Sequence, residues 1–121
     1  MVEKNDLSGR LLDFAADCIK LTGQLNRTTA GKHIALQLIR SATSSGANYE
    51  EACGAESRAD FIHKLQIVLK ELRESVYWLR LIKKVETALH NDLQPLLDES
   101  QELTKIIAKS IVTAKGGQKN K

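Results

Sequence analysis

At 121 residues the chain is long enough for about one domain, and its 42% apolar and 27% charged residues describe a packed core under a solvated surface, excluding wholesale disorder and a membrane-embedded protein. One proline, seven glycines and a 4% aromatic fraction are too few for a turn-rich sandwich or barrel, so composition points to helices. The net charge of +3 is modest but unevenly laid out: no acidic residue occurs between Asp17 and Glu50, and from Lys105 to the end there are five lysines and no acid.

Apolar residues at Leu7, Leu11, Phe14, Cys18, Leu21 and Leu25 recur at threes and fours, which predicts a first helix over about 7–25. Residues Asn26 to Thr29 read as a connection, with Thr28 or Thr29 able to cap a second helix over about 30–53. The inward stripe of that helix is Ala35, Leu38, Ile39, Ala42, Ser45, Gly46, Tyr49 and Cys53. Its run of seven small residues, Ser41 to Ala47, either breaks the helix or lets a neighbour approach closely; the apolar period resumes in phase at Tyr49 and Cys53, which favours close approach. Cys18 and Cys53 both fall in apolar patterns without CxxC spacing and read as buried thiols of a reducing compartment.

Gly54 closes the second helix, and Ser57 with Asp60 resembles a capping box that opens a third, over about 58–88. Its apolar seam is Phe61, Leu65, Val68, Leu72, Val76 and Leu79. At about 100° per residue, Lys70, Arg73, Tyr77, Arg80 and Lys84 cluster within about 80° of one another beside that seam. Ile67, Trp78, Leu81 and Val85 form a second apolar stripe on roughly the far side, which reads as a subunit interface. After His90, Asn91 and Asp92, Pro95 suits the first turn of a fourth helix over about 93–114, carried by Leu93, Leu96, Leu103, Ile107 and Ile111. The segment 116–121 reads as a disordered basic tail. The whole is an all-α, antiparallel up-down-up-down four-helix bundle spanning 1–115.

Little in this chain resembles catalytic machinery. The three histidines, His33, His63 and His90, lack partners at metal-ligand spacing, no Glu-x-x-His pairs point inward, the Ser41 to Ser45 cluster has no G-x-S-x-G elbow, and no glycine-rich phosphate loop is present. Glu50 and Glu51 are adjacent on a helix and diverge. The expectation is a protein that is not an enzyme and needs no metal or cofactor. The polar start, Met1 to Asp6, has no apolar signal-peptide core and no run is long enough to cross a membrane, so a cytoplasmic location is expected.

Binding remains. The basic stripe of the third helix, supplemented by Arg40, Lys105 and Lys109, is spaced to track a phosphate backbone, with Tyr77 placed to stack on an unpaired base. The competing reading is an ordinary solvated face partly neutralised by Glu71 and Glu74. An oligomer built on the Trp78 patch would multiply the stripe. Nucleic acid, RNA or DNA, is therefore the expected partner beside the chain itself, and the alternative is a scaffold whose basic face meets an acidic protein.

From Ala30 to Ile82 the chain also carries a pattern: Arg40-Ser41, small residues to Ser45, Asn48 and Glu51, then Ser57-Arg58, Phe61 and Leu65, and Lys70-Glu71-Leu72 with Glu74. This resembles the 23S ribosomal RNA intervening-sequence protein family. Val68 stands where many relatives have alanine, and Glu51-Ala52-Cys53-Gly54 replaces a tighter ending, departures that concern packing and the helix end. The resemblance implies four-helix bundles assembled as ring-shaped pentamers, with molecular function mostly unassigned. Related bundles serve retroelements as accessory proteins that bind nucleic acid and a reverse transcriptase through a basic pentameric surface. The family's polar pair, here Asn48 and Glu51, either has a functional role or organises a contact between the second and third helices.

Overall fold

The computed structural model describes the backbone of residues 2–119 and the side chains of 7–86 and 88–116. Four helices follow in order, α1 (Val2–Thr22), α2 (Thr29–Cys53), α3 (Arg58–Val85) and α4 (His90–Lys119), with a single 3-10 turn, Thr87–Leu89, before the last. Tertiary bonds fix their directions. Ser8 bonds Glu50 near opposite ends of α1 and α2. Glu51 meets Lys64 and Ser41 meets Ser75 between α2 and α3, while Arg10 meets Glu99 between α1 and α4. Between α2 and α3 the fall from Glu51 to Ser41 is matched by a rise from Lys64 to Ser75, and the contacts of α1 with α2 and α4 are consistent with the up-down-up-down bundle.

The caps follow the sequence. Thr28 Oγ1 accepts the Gly31 N–H at 2.9 Å and Ser57 Oγ accepts the Asp60 N–H at 3.1 Å, each satisfying one of the donors a helix start leaves open. The α1 end differs from the expected 25: α-helical hydrogen bonding stops at Thr22, and Gly23, Gln24 and Leu25 tighten into turns bonded to Lys20, Leu21 and Thr22. Leu25 is still buried, so the apolar period outlives the helix that generates it.

Through Ser41 to Ala47, α2 is unbroken. The small residues serve two neighbours: an added Cβ at Gly46 would rest 3.7 Å from Leu11 Cβ of α1, in ordinary contact, and the fully buried hydroxyls of Ser41 and Ser75 lie 2.8 Å apart between α2 and α3. Buried hydroxyls pair because an unpaired one forfeits its hydration.

At the other end of α2 the inward position belongs to Ala52, and Cys53 is exposed, contrary to the expected buried thiol. Both positions lie within a turn of Tyr49, and the helix presents the one three residues on to the core. Cys18 is fully buried, and burial, with Asp17 nearby, pushes its thiol up to about 12.

On α4, Pro95 is inside the helix and not in its first turn, because the helix begins at His90, directly after the 3-10 turn. Proline has no N–H to give the Asn91 carbonyl, a loss that a first turn with His90, Asn91 and Asp92 exposed tolerates. The helical backbone also continues to Lys119, past the limit near Ala114 set by the apolar period. Periodicity marks where a helix has a packing partner, whereas backbone hydrogen bonding runs on until something stops it. Residues 120–121 of the expected tail lie outside the described residues.

Candidate nucleic-acid interface

The buried side of α3 consists of Ile62, Leu65, Val68, Glu71, Leu72, Ser75, Leu79 and Ile82, so it is rotated from the expected seam, with Phe61 and Val76 only half-buried at its edge. Four of the six expected seam residues, Leu65, Val68, Leu72 and Leu79, are in the core as expected, and the added Glu71 and Ser75 extend it toward α2. Lys70, Arg73, Tyr77, Arg80 and Lys84 are all exposed and face away from the bundle, rather than lying beside the seam. Ile67, Trp78 and Leu81 lie on the flank toward α2 and are half-buried, and Val85, at 59% exposure, is the one member of that stripe left open.

Trp78 is therefore used within the chain. Its ring meets His33 of α2 edge-on at 5.9 Å, Tyr77 leans against it at 5.0 Å, and its indole N–H donates to Glu74 Oε2 at 3.0 Å. Tyr77 remains 56% exposed with one edge held by this contact.

Arg40 is placed differently from the rest of the expected set. Its guanidinium spans α2 to α3, with Nη2 2.5 Å from Glu74 Oε1 and Nη1 3.3 Å from Glu71 Oε1. Glu71 is 6% exposed; its Oε1 accepts no hydrogen bond, so Arg40 is the charge that compensates it. Arg40 is thus shared by Glu71 and Glu74, the two acids expected to quench the α3 stripe; Glu71 is buried against α2, while Glu74 still feels the charge of Lys70. Arg73, Arg80 and Lys84 make no hydrogen bond or ion pair among the described residues. Lys109 also lies apart: it lines a groove at the far end of the bundle with Cys53, Arg58 and Phe61.

The Arg40 bond, and after it the Trp78 indole, hold the Glu74 carboxyl below the usual range near 4.5. A carboxyl depressed on folding stabilises the fold above its unfolded value and loses that contribution as pH falls through the folded one. Urea midpoints measured from pH 7 down to pH 3 should therefore fall below about pH 4.5 in the wild type, and Glu74→Gln should flatten that fall. Parallel curves for the two proteins would overturn the assignment.

Asn48 and Glu51 do not form a unit. Asn48 Nδ2 donates within α2, to the Ser44 carbonyl at 2.9 Å and its hydroxyl at 3.0 Å, while Glu51 accepts from Lys64 Nζ of α3 at 2.7 Å. Only Glu51 bridges the two helices. Several other pattern residues also bridge helices: Arg40-Ser41 meets Glu71, Glu74 and Ser75 across the α2–α3 seam, and Arg58 reaches the Ala114 carbonyl of α4 at 3.4 Å. These contacts fix helix register. Sequence reasoning did not find Ser75 or the depth of Glu71, since neither polar residue registers in an apolar count.

No helix among the described residues is long and apolar enough to cross a membrane, and no three His, Cys, Asp or Glu side chains converge there as metal ligands. No curated protein matches the chain. Its fold is similar to the crystal structure of a protein of unknown function from the S23 ribosomal protein family of Bacteroides thetaiotaomicron VPI-5482, with a TM-score of 0.79, 36% identity, and coverage of 87% of this chain and 97% of that one. The profile of the 23S rRNA-intervening sequence proteins matches residues 3–109. With nearly the whole bundle matched in sequence and in fold, the chain belongs to the 23S rRNA-intervening sequence protein family.

Proposed function

We propose that the protein is a non-catalytic, homo-oligomeric bundle that binds single-stranded nucleic acid through phosphates, with little sequence preference. The observation that carries this reading is the outward stripe of α3, where Arg73, Arg80 and Lys84 are exposed and unpaired among the described residues. Lys70 extends the row, and Tyr77 adds a half-held aromatic edge on which a base can stack. Arg40 and Lys109, expected as contacts from sequence, are left out of this surface: the first is committed to α3 and the second sits at the opposite end.

Four phosphate contacts on a single strand give a log–log salt slope of about −3 per protomer. Light-scattering mass of the purified chain, with and without a labelled single-stranded RNA, should show mass gained at low salt and lost along that slope. An oligomer indifferent to RNA at every salt concentration would overturn the proposal and leave the scaffold reading.

Self-association rests on apolar side chains that the bundle leaves exposed, Val85 on α3 and Leu12, Ile19 and Leu36 on α1 and α2. The ring-shaped pentamer is what the family resemblance implies for it. Because Trp78 packs inside the chain, a charge placed there would disturb the fold as well as any interface. Val85→Glu is the cleaner variant: at 59% exposure it leaves the core untouched, and it should shift the scattering mass toward the 13.4 kDa monomer with an unchanged helical spectrum. An unaltered mass would remove Val85 from the interface.

A further inference from the structure

The groove that holds Lys109 has a chemistry distinct from the α3 stripe. It is an open trough of about 850 Å³ between the end of α2, the start of α3 and the C-terminal half of α4. Ala52, Phe61 and Ile106 line it as apolar surface, and Arg58 and Lys109 bring two cationic side chains to it from α3 and α4. Among the described residues no acidic side chain lines it; Glu56 and Asp60, from the neighbouring connection and first turn of α3, are exposed outside it, and Glu51 is engaged by Lys64. Arg58 spends one N–H on the Ala114 carbonyl, which pins its guanidinium over the groove without cancelling its charge, and Lys109 has no ion pair or hydrogen bond among the described residues.

The geometry points to this groove as a docking site for an acidic peptide segment that carries an apolar side chain, the apolar group seated on Phe61 and Ile106 and flanking carboxylates paired with Arg58 and Lys109. The presence of two cations and an apolar surface in one groove decides the class. A bare polyanion would leave the floor uncovered and gain only charge, and a purely apolar helix would leave the two cations to be desolvated unpaired. An anionic peptide with one apolar anchor satisfies both. The trough is open to solvent and not an enclosed cavity, which suits a peptide segment better than a buried small molecule.

Cys53 lines the same groove and is exposed while Cys18 is fully buried, so the chain carries its own reporter of occupancy. The test uses the full chain and a fluorescein-labelled peptide, EELFEE, followed by anisotropy, with the rate of Cys53 alkylation by N-ethylmaleimide read in parallel. Binding with a dissociation constant below about 100 μM, weakened by salt and accompanied by slowed alkylation, is expected, as is no binding of the basic analogue KKLFKK. Arg58→Glu with Lys109→Glu should weaken the acidic peptide at least about tenfold, and Arg73→Glu with Arg80→Glu should leave it within about twofold. The proposal fails if the peptide does not bind, if both peptides bind alike, if the α3 reversal and not the groove reversal removes binding, or if single-stranded RNA protects Cys53 and the peptide does not. Each variant is checked for wild-type helicity, and Lys109→Ala alone, at an exposed helix position, repeats the comparison should the double variant misfold.

Discussion

Arg73→Glu combined with Arg80→Glu is expected to lower affinity for single-stranded RNA by about 100-fold or more at 0.1 M salt and to cut the salt slope from about −3 to about −1.5. Each substitution removes a phosphate partner and installs a like charge against the strand, so the loss exceeds that of simple neutralisation. Stability should change little. Both arginines are exposed and unpaired among the described residues, and surface substitutions of that kind are worth about 0.5 kcal/mol or less. Two reversals of two units each carry the net charge from +3 to −1, so a general charge effect must be separated from a local one. Arg27→Glu with Lys32→Glu makes the same change in net charge at exposed positions near the α1–α2 connection. If that pair costs as much affinity as the α3 pair, the binding surface is not the α3 stripe.

The logic of the stripe was legible in sequence; its surroundings were not. Lys70, Arg73, Tyr77, Arg80 and Lys84 share a face by helical spacing alone, and the structure keeps them together. Placing that face relative to the core required knowing which residues are buried, and here hydropathy misleads. Phe61 and Val76 count as core by character yet sit at the edge, while Glu71 and Ser75 are buried because α2 supplies Arg40 and Ser41 to pair with them. Such pairing joins residues more than thirty positions apart and leaves no mark in a local period. The same limit explains the second apolar stripe, which is answered within the chain by α2, through His33 against Trp78, before any second subunit is invoked. Caps were the opposite case. Thr28 and Ser57 act through bonds three residues long, and the sequence locates both helix starts to within a residue.

Gly31→Ala should destabilise the fold by about 2–4 kcal/mol, although alanine at an ordinary helical position is worth about 0.5–1 kcal/mol more than glycine. A Cβ at residue 31 would stand 2.0 Å from the Leu25 carbonyl oxygen and 3.0 Å from Thr28 Oγ1. The first obstacle is backbone, and it cannot rotate aside: Leu25 is buried, and its N–H is bonded to the Thr22 carbonyl at 3.0 Å. Relief of more than an ångström therefore has to come from drawing Leu25 out of the core or from lifting the first turn of α2 off its Thr28 cap. Either route gives up an interaction worth about 1 kcal/mol or more. Gly9 supplies the comparison within the same protein, since an added Cβ there meets nothing within 4 Å, and Gly9→Ala should stabilise by about 0.5–1 kcal/mol. Urea unfolding followed by helicity would then move in opposite directions for two chemically identical substitutions. Midpoints that shift the same way would show that the α1–α2 connection yields to the added methyl, and that the close approach at Gly31 is not what sets the start of α2.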